Sequence, residues 1–206
     1  MMSLFTSNEE KRISDAITAA EKATSGEIVA VVAPQSDSYF YVPFLVASLV
    51  ALLVPWPFIY LTWHTVQWIY LIQLLVFGAI VALLIDIRRR LWLVPDSIKR
   101  EHAHRRAVEQ FMAQNLQTTP GRTGVLIFVS LAERYAEIVA ERGINKAVAA
   151  GTWQGIVDRL TADLAAGKAA DGFVTAIESC GKHLAAHYPP GTGDKNELPN
   201  HLIVLR

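Results

Sequence analysis

Charged residues stop abruptly partway along this chain and then resume. Between Asp37 and Asp86 there is no Asp, Glu, Lys or Arg, and the interval splits at Trp63-His64-Thr65 into two apolar runs, Val42 to Thr62 and Val66 to Ile85. Each run is about as long as the roughly 20 helical residues needed to cross a bilayer. So short a connection makes a hairpin, which puts the segments before and after it on one side of the membrane. Both runs are apolar on every face, and a domain this small cannot wrap two such helices in a soluble core. Pro55-Trp56-Pro57 lies in the second half of the first run and predicts a kink, because each proline removes a backbone donor. Ser48, Gln67 and Gln73 offer too little polarity for a transport site, so the pair reads as an anchor or a helix-packing surface.

Elsewhere the pattern is that of a water-soluble domain. Ser7-Asn8-Glu9-Glu10 has capping-box spacing, Ile13, Ile17 and Ala20 share a helical face, and Ser25-Gly26 ends that helix. Glu27 to Ala33 and Gly124 to Ser130 are short, β-branched and almost wholly apolar, which predicts strands covered on both faces. Between them, beyond Pro95, a helix capped by Asp96 or Ser97 carries Ile98, Val108, Phe111 and Met112 down to about Gln117, before a turn at Thr118-Thr119-Pro120-Gly121. Tyr135 to Glu141 alternates as a third strand, hairpin-paired to the second. Two amphipathic helices follow. Thr152 to Ala166 carries Trp153, Ile156, Val157, Leu160 and Leu164, and Asp171 to about Tyr188 carries Phe173, Ile177, Cys180 and Leu184. Pro189-Pro190-Gly191 breaks the chain, and Leu202 to Leu205 suits a short edge strand.

The predicted class is α/β, a small central sheet with packed helices, interrupted by a transmembrane helical hairpin. The domain comprises residues 1–38 and 91–206, with the hairpin as an insertion over 39–90. A crossover helix makes the first two strands parallel.

Charge adds orientation. Arg88, Arg89, Arg90, Lys99, Arg100, Arg105 and Arg106 follow the second span while the turn has no Lys or Arg, so both termini are expected in the cytoplasm. Trp63, Trp68 and Tyr70 at the far end and Tyr39, Tyr41 and Trp92 at the near end suit interfacial belts. The chain's 19 basic and 19 acidic residues balance, giving no nucleic-acid footprint. One cysteine excludes an internal disulfide or Cys-rich zinc site, and MMSLFTSNEEKR lacks the apolar core of a cleaved leader.

Thr24-Ser25-Gly26-Glu27-Ile28-Val29, Arg122-Thr123-Gly124-Val125-Leu126-Ile127, Glu141-Arg142-Gly143-Ile144 and Asp171-Gly172-Phe173, in that order and spacing, resemble the TPM domain. The likeness is greatest to a bacterial branch of predicted membrane proteins, in which a two-span hairpin interrupts the domain and the chain ends near Asn196-Glu197-Leu198-Pro199. It implies a two-pass protein of the bacterial inner membrane. Roles known in the family are scattered: repair or assembly of membrane complexes, auxiliary subunits, and acid-phosphatase-like activity in some plant members. A LemA-like membrane protein, or another TPM-domain protein, is the partner the resemblance suggests.

Candidate chemistry is sparse. Many TPM members carry Asp-Asn-Gly ahead of the second strand, where this chain has Arg122-Thr123-Gly124, a cation in place of a ligand. Glu27, Asp158 and Asp171 are the weak catalytic candidates, with Asp37 near the membrane, and each also suits an ordinary role as strand edge, helix surface, helix cap or interface residue. His102 and His104 are two apart and diverge. His183 and His187 have i, i+4 spacing without an evident third ligand, so no metal or cofactor is assigned. Cys180 lies on an apolar helix face and reads as packing. Arg88, Arg89, Arg90, Trp92, Lys99 and Arg100 are the candidate lipid-interface residues, and Arg122, Arg134 and Arg142 a candidate docking patch. The favoured expectation is a membrane-anchored, non-catalytic interaction or auxiliary module acting on a membrane protein complex, with the lipid bilayer and a membrane protein as partners. The alternative is a membrane-tethered, metal-dependent, phosphatase-like hydrolase, and a transporter ranks third.

Overall fold

The structure is a computed structural model that describes residues 5–61, 65–118, 121–190, 198 and 200–205. Trp63-His64 of the predicted turn, Thr119-Pro120, and most of the Asn196–Pro199 motif lie outside the described residues. In chain order the elements are α1 (Ser7–Glu21), β1 (Glu27–Ala33), α2 (Tyr41–Leu53), α3 (Pro55–Leu61), α4 (Val66–Leu83), α5 (Ile87–Leu93), α6 (Asp96–Ala113), a 3-10 turn (Leu116–Thr118), β2 (Gly124–Ser130), β3 (Tyr135–Ala140), α7 (Arg142–Ala147), α8 (Thr152–Ala165), α9 (Ala169–His187) and β4 (Ile203–Val204). They divide into two compact units, Met1–Ser36 with Glu101–Arg206, and Asp37–Arg100.

The first unit is α/β, built on a sheet of order β3-β2-β1-β4. β1 and β2 run parallel from Glu27↔Gly124 to Ala33↔Ser130, and every residue of both is buried, as their unbroken apolar runs require. β3 returns antiparallel along β2, and β4 pairs with β1 only at Val31 and Val32. Alternation sorts the side chains into two cores. Ile28, Ala30, Val32, Val125, Ile127 and Ile138 meet Ile13, Ile17, Leu160, Phe173, Ile177 and Leu184 of α1, α8 and α9. Val29, Val31, Leu126 and Phe128 meet Ala107 and Phe111 of α6. A β-carbon added at Gly181 would stand 2.7 Å from the Ala20 β-carbon, so α1 and α9 touch at a distance only glycine permits.

Three local details differ from the pattern reading. The capping box of α1 sits one residue earlier: Thr6 Oγ1 accepts from the Glu9 amide, and the Glu9 carboxylate takes the Thr6 amide. Phe5, buried edge-on against Phe173 at 6.0 Å, fixes where the helix begins. α6 buries Ala103, Ala107 and Phe111 while Met112 is exposed, because small residues let the helix lie close to the sheet. α5 and α7 have no counterpart in the pattern reading. They are short helices of seven and six residues, capped by the Asp86 and Glu141 carboxylates respectively.

In the second unit α2 packs on α4, and the buried residues of α2 are Val42, Pro43, Ala47 and Ala51, two of them alanines one turn apart of the kind that lets membrane helices approach closely. The Pro55-Trp56-Pro57 interruption is confined to Val54, whose backbone stays helical, so α3 continues α2. Tyr41–Tyr60 and Val66–Leu83 are long and apolar enough to cross a membrane. Only 22% of the first and none of the second is buried, whereas core helices of a soluble protein are buried. Trp68, Tyr70, Tyr41 and Trp92 are exposed, as belt residues are, but Tyr39 is fully buried with φ 48°. The Asp37 carboxylate accepts the Tyr39 amide and steers that left-handed turn into α2.

Candidate functional site

The acidic candidates do not converge. Glu27 opens β1 and is buried, not the solvated strand edge its position suggested. Asp158, halfway along α8, is exposed and accepts from Gln154 Nε2 at 2.7 Å. Asp171 lies in the first turn of α9, where Lys168 rather than Asp171 is the cap, and pairs with Arg12 of α1 at 2.6 Å with both side chains half exposed. Among the described residues no three His, Cys, Asp or Glu side chains are grouped so as to hold a metal ion. His104 Nδ1 contacts the Glu137 carboxylate at 2.9 Å, and His183 stacks edge-on against Trp153. Burial pushes the Cys180 thiol up to about 12, which leaves it protonated and inert.

Two polar networks not foreseen from sequence hold the ends of the parallel pair. At the N-terminal end, Thr24 Oγ1 donates to the Tyr188 carbonyl at 2.6 Å and Thr123 Oγ1 to the Ser25 carbonyl at 2.8 Å. The Glu21 carboxylate accepts the Ile28 amide at 3.0 Å, on strand β1 at a position that the two-residue β4 does not pair. Desolvation and the nearby Glu27 charge outweigh that bond and push the Glu21 carboxyl up to about 7. At the C-terminal end, Ser36 Oγ donates to Ser130 Oγ at 2.8 Å and Ser130 Oγ to the Glu133 carboxylate at 2.5 Å. The same carboxylate takes the Ser36 amide. Ser130 is fully buried, so its hydroxyl joins the loop after β1 to the β2–β3 turn and is closed to a substrate. A Ser ending an apolar run with Glu three residues on was the available signal.

The arginines separate by topology. β2 and β3 are antiparallel, so Arg122, just before β2, and Arg142, just after β3, lie at one end of the hairpin, and Arg134 lies at the other. A seven-residue strand separates those ends by roughly 20 Å, and the three do not form one docking patch. Arg122 and Arg134 hold left-handed backbone at φ 49° and 52°.

The basic segment after α4 is the most organised charged region. Arg90 departs from the lipid-facing role its neighbours suggested. It is 7% exposed, and its guanidinium donates to the carbonyls of Leu84 (2.9 Å), Ser38 (2.7 Å) and Ile85, with Phe40 beneath it at 4.5 Å. Those carbonyls precede α2 and follow α4, so the two helices are antiparallel and their near ends meet at one cation. Arg88 and Arg89 instead point outward, Arg89 giving one hydrogen bond to the Leu83 carbonyl at 3.2 Å. They rim an apolar groove of about 680 Å³ with Val46, Ile80, Leu84 and Trp92. Lys99 pairs with Asp96 at 2.7 Å, and the Lys99 ammonium holds the Asp96 carboxyl below its ordinary value. Arg100 is exposed.

Comparison with known proteins agrees with this architecture. Residues 89–183 match the family model of the TPM domain. The chain is similar in fold to the NMR structure of the BA42 protein from the psychrophilic bacterium Bizionia argentinensis, with a TM-score of 0.62 and 24% identity over 99% of this chain and 97% of that one. No curated protein matches.

Proposed function

We propose that this protein is a membrane-anchored, non-catalytic interaction module, whose TPM-like domain is tethered to the bacterial inner membrane by the α2–α4 hairpin to assist a membrane protein complex. The observation that carries the reading is the contrast in burial: two membrane-length apolar helices are bare, whereas the apolar residues of the α/β unit are enclosed. The basic segment after α4 favours cytoplasmic termini. The dispersal of Glu27, Asp158 and Asp171 favours interaction over hydrolysis, since metal-assisted hydrolysis needs convergent ligands. A LemA-like protein or a second TPM-domain protein is the proposed partner class.

The full chain, extracted from native membranes in mild detergent and cross-linked beforehand, is expected to bring down one recurring membrane protein. Recovery of the chain alone overturns the interaction reading. Turnover of a generic phosphate ester that requires a divalent metal and is lost in a folded Asp171→Ala variant establishes the hydrolase instead.

A further inference from the structure

We infer that the groove among α2, α4 and α5 is a binding site for one anionic phospholipid, with an acyl chain against Val46, Ile80 and Leu84 and the phosphate diester on Arg88 and Arg89. The inference rests on the membrane reading above and names a specific ligand within it.

The argument begins from what each arginine has left to give. Arg90 spends its donors on three carbonyls and its face on Phe40, so it takes no ligand. Arg89 keeps most of its donors after one bond to Leu83. Arg88 has no side-chain hydrogen bond or ion pair among the described residues. The nearest acid in sequence, Asp86, turns its carboxylate onto the Arg88 backbone amide. Two cations with no carboxylate partner among the described residues thus line one groove. A guanidinium fork matches a phosphate's oxygens in planar, bidentate geometry.

The rest of the lining fixes the other half of the ligand. It is almost wholly aliphatic, and its volume of about 680 Å³ lies within the range of roughly 300–1,000 Å³ typical of small-ligand sites. An apolar groove with two arginines in its lining complements a molecule with a hydrocarbon tail and an anionic head. Trp92, 86% exposed at the same mouth, suits the headgroup level. The slot lies beside the end of α4 that the basic segment follows, where a phospholipid phosphate sits when such a helix spans the bilayer.

The test uses the full-length chain, delipidated in mild detergent and titrated with phosphatidylglycerol, phosphatidylcholine or inorganic phosphate under native mass spectrometry. One phosphatidylglycerol per chain is expected to be retained, with phosphatidylcholine much weaker and inorganic phosphate unable to displace it. Arg88→Gln with Arg89→Gln is expected to weaken phosphatidylglycerol about 30-fold, at roughly 1 kcal/mol per surface charge. Ile80→Trp, which fills the slot and leaves both charges, is expected to abolish retention as well. Equal binding of the two lipids, or retention unchanged in both variants, overturns the inference. Displacement by inorganic phosphate alone shows an anion site without a lipid, and also overturns it. Alkaline washing of membranes containing the wild-type chain tests the anchor separately: a chain that stays with the membrane but binds lipids indiscriminately refutes only the lipid site.

Discussion

The two compact units contain the same kinds of apolar residues and place them oppositely. In the first, Val31, Phe128 and Phe173 have no exposed surface, and the sheet carries helices on both faces. In the second, Leu52, Leu53, Ile59 and Leu74 are each about two-thirds exposed, and along the two long helices the buried residues are Val42, Pro43, Ala47 and Ala51 of α2. Water drives burial of apolar surface and lipid does not, so the difference is the one expected if the second unit meets lipid as proposed. Polar groups follow the same division. The domain spreads its polar bonds over hydroxyls and carboxylates at strand ends, whereas the hairpin unit commits one buried cation to the carbonyls at its own mouth.

The largest effect expected from this contrast is at Phe173. Phe173→Ala is expected to cost the domain about 3–5 kcal/mol in denaturant unfolding, as an aromatic lost from a close-packed core does. Leu74→Ala on α4, equally apolar but exposed, is expected to stay within about 0.5 kcal/mol in detergent. Similar losses at both sites break the comparison. Next comes Arg90→Ala, which strands three carbonyls. A loss of roughly 2–4 kcal/mol is expected, read as faster proteolysis between Asp37 and Arg100, and lysine should rescue it poorly because an ammonium cannot reproduce the fork. Arg100→Ala is the control and should change little.

A smaller, pH-dependent effect belongs to Glu21. Its carboxyl is raised in the folded state to about 7 from 4.5, so the fold binds a proton that the unfolded chain releases. Stability from this group is therefore full below pH 4.5 and is lost as pH rises through 7. After allowance for the solvent reaching this half-buried side chain, the loss is on the order of 1 kcal/mol. Melting curves of Glu21→Gln should lie flatter across that window, and an unchanged slope rules out Glu21 as its source. Smallest is the Arg12–Asp171 pair, where a double-mutant cycle should give about 0.2–1 kcal/mol because both side chains face water.

Much of this was legible from the sequence, for physical reasons that can be named. β1 and β2 are apolar without interruption because both sheet faces are covered, and their ends were read to the residue. The alternation of Tyr135 to Glu141 marked β3 as a strand, which spans Tyr135–Ala140. The membrane-length helices announced themselves by an absence of charge. The helix face of α6 did not, because Ala103 and Ala107 pack by being small and make no apolar stripe. Nor did the difference between Arg90 and its neighbours, since three consecutive arginines look alike until the fold brings Ser38 beside one of them. The split of Arg122, Arg134 and Arg142 needed the strand pairing, and the Glu21 site needed the knowledge that β4 is only two residues long.

The Arg90 clasp has a consequence for biogenesis. Its three acceptors come from before the first long helix and from after the second, so it can close only when both helices have formed and folded back on each other. Synthesis delivers Arg90 after all three, which makes it a latch for a completed hairpin. A chain in which only one of the two helices has formed leaves this cation without its full set of acceptors.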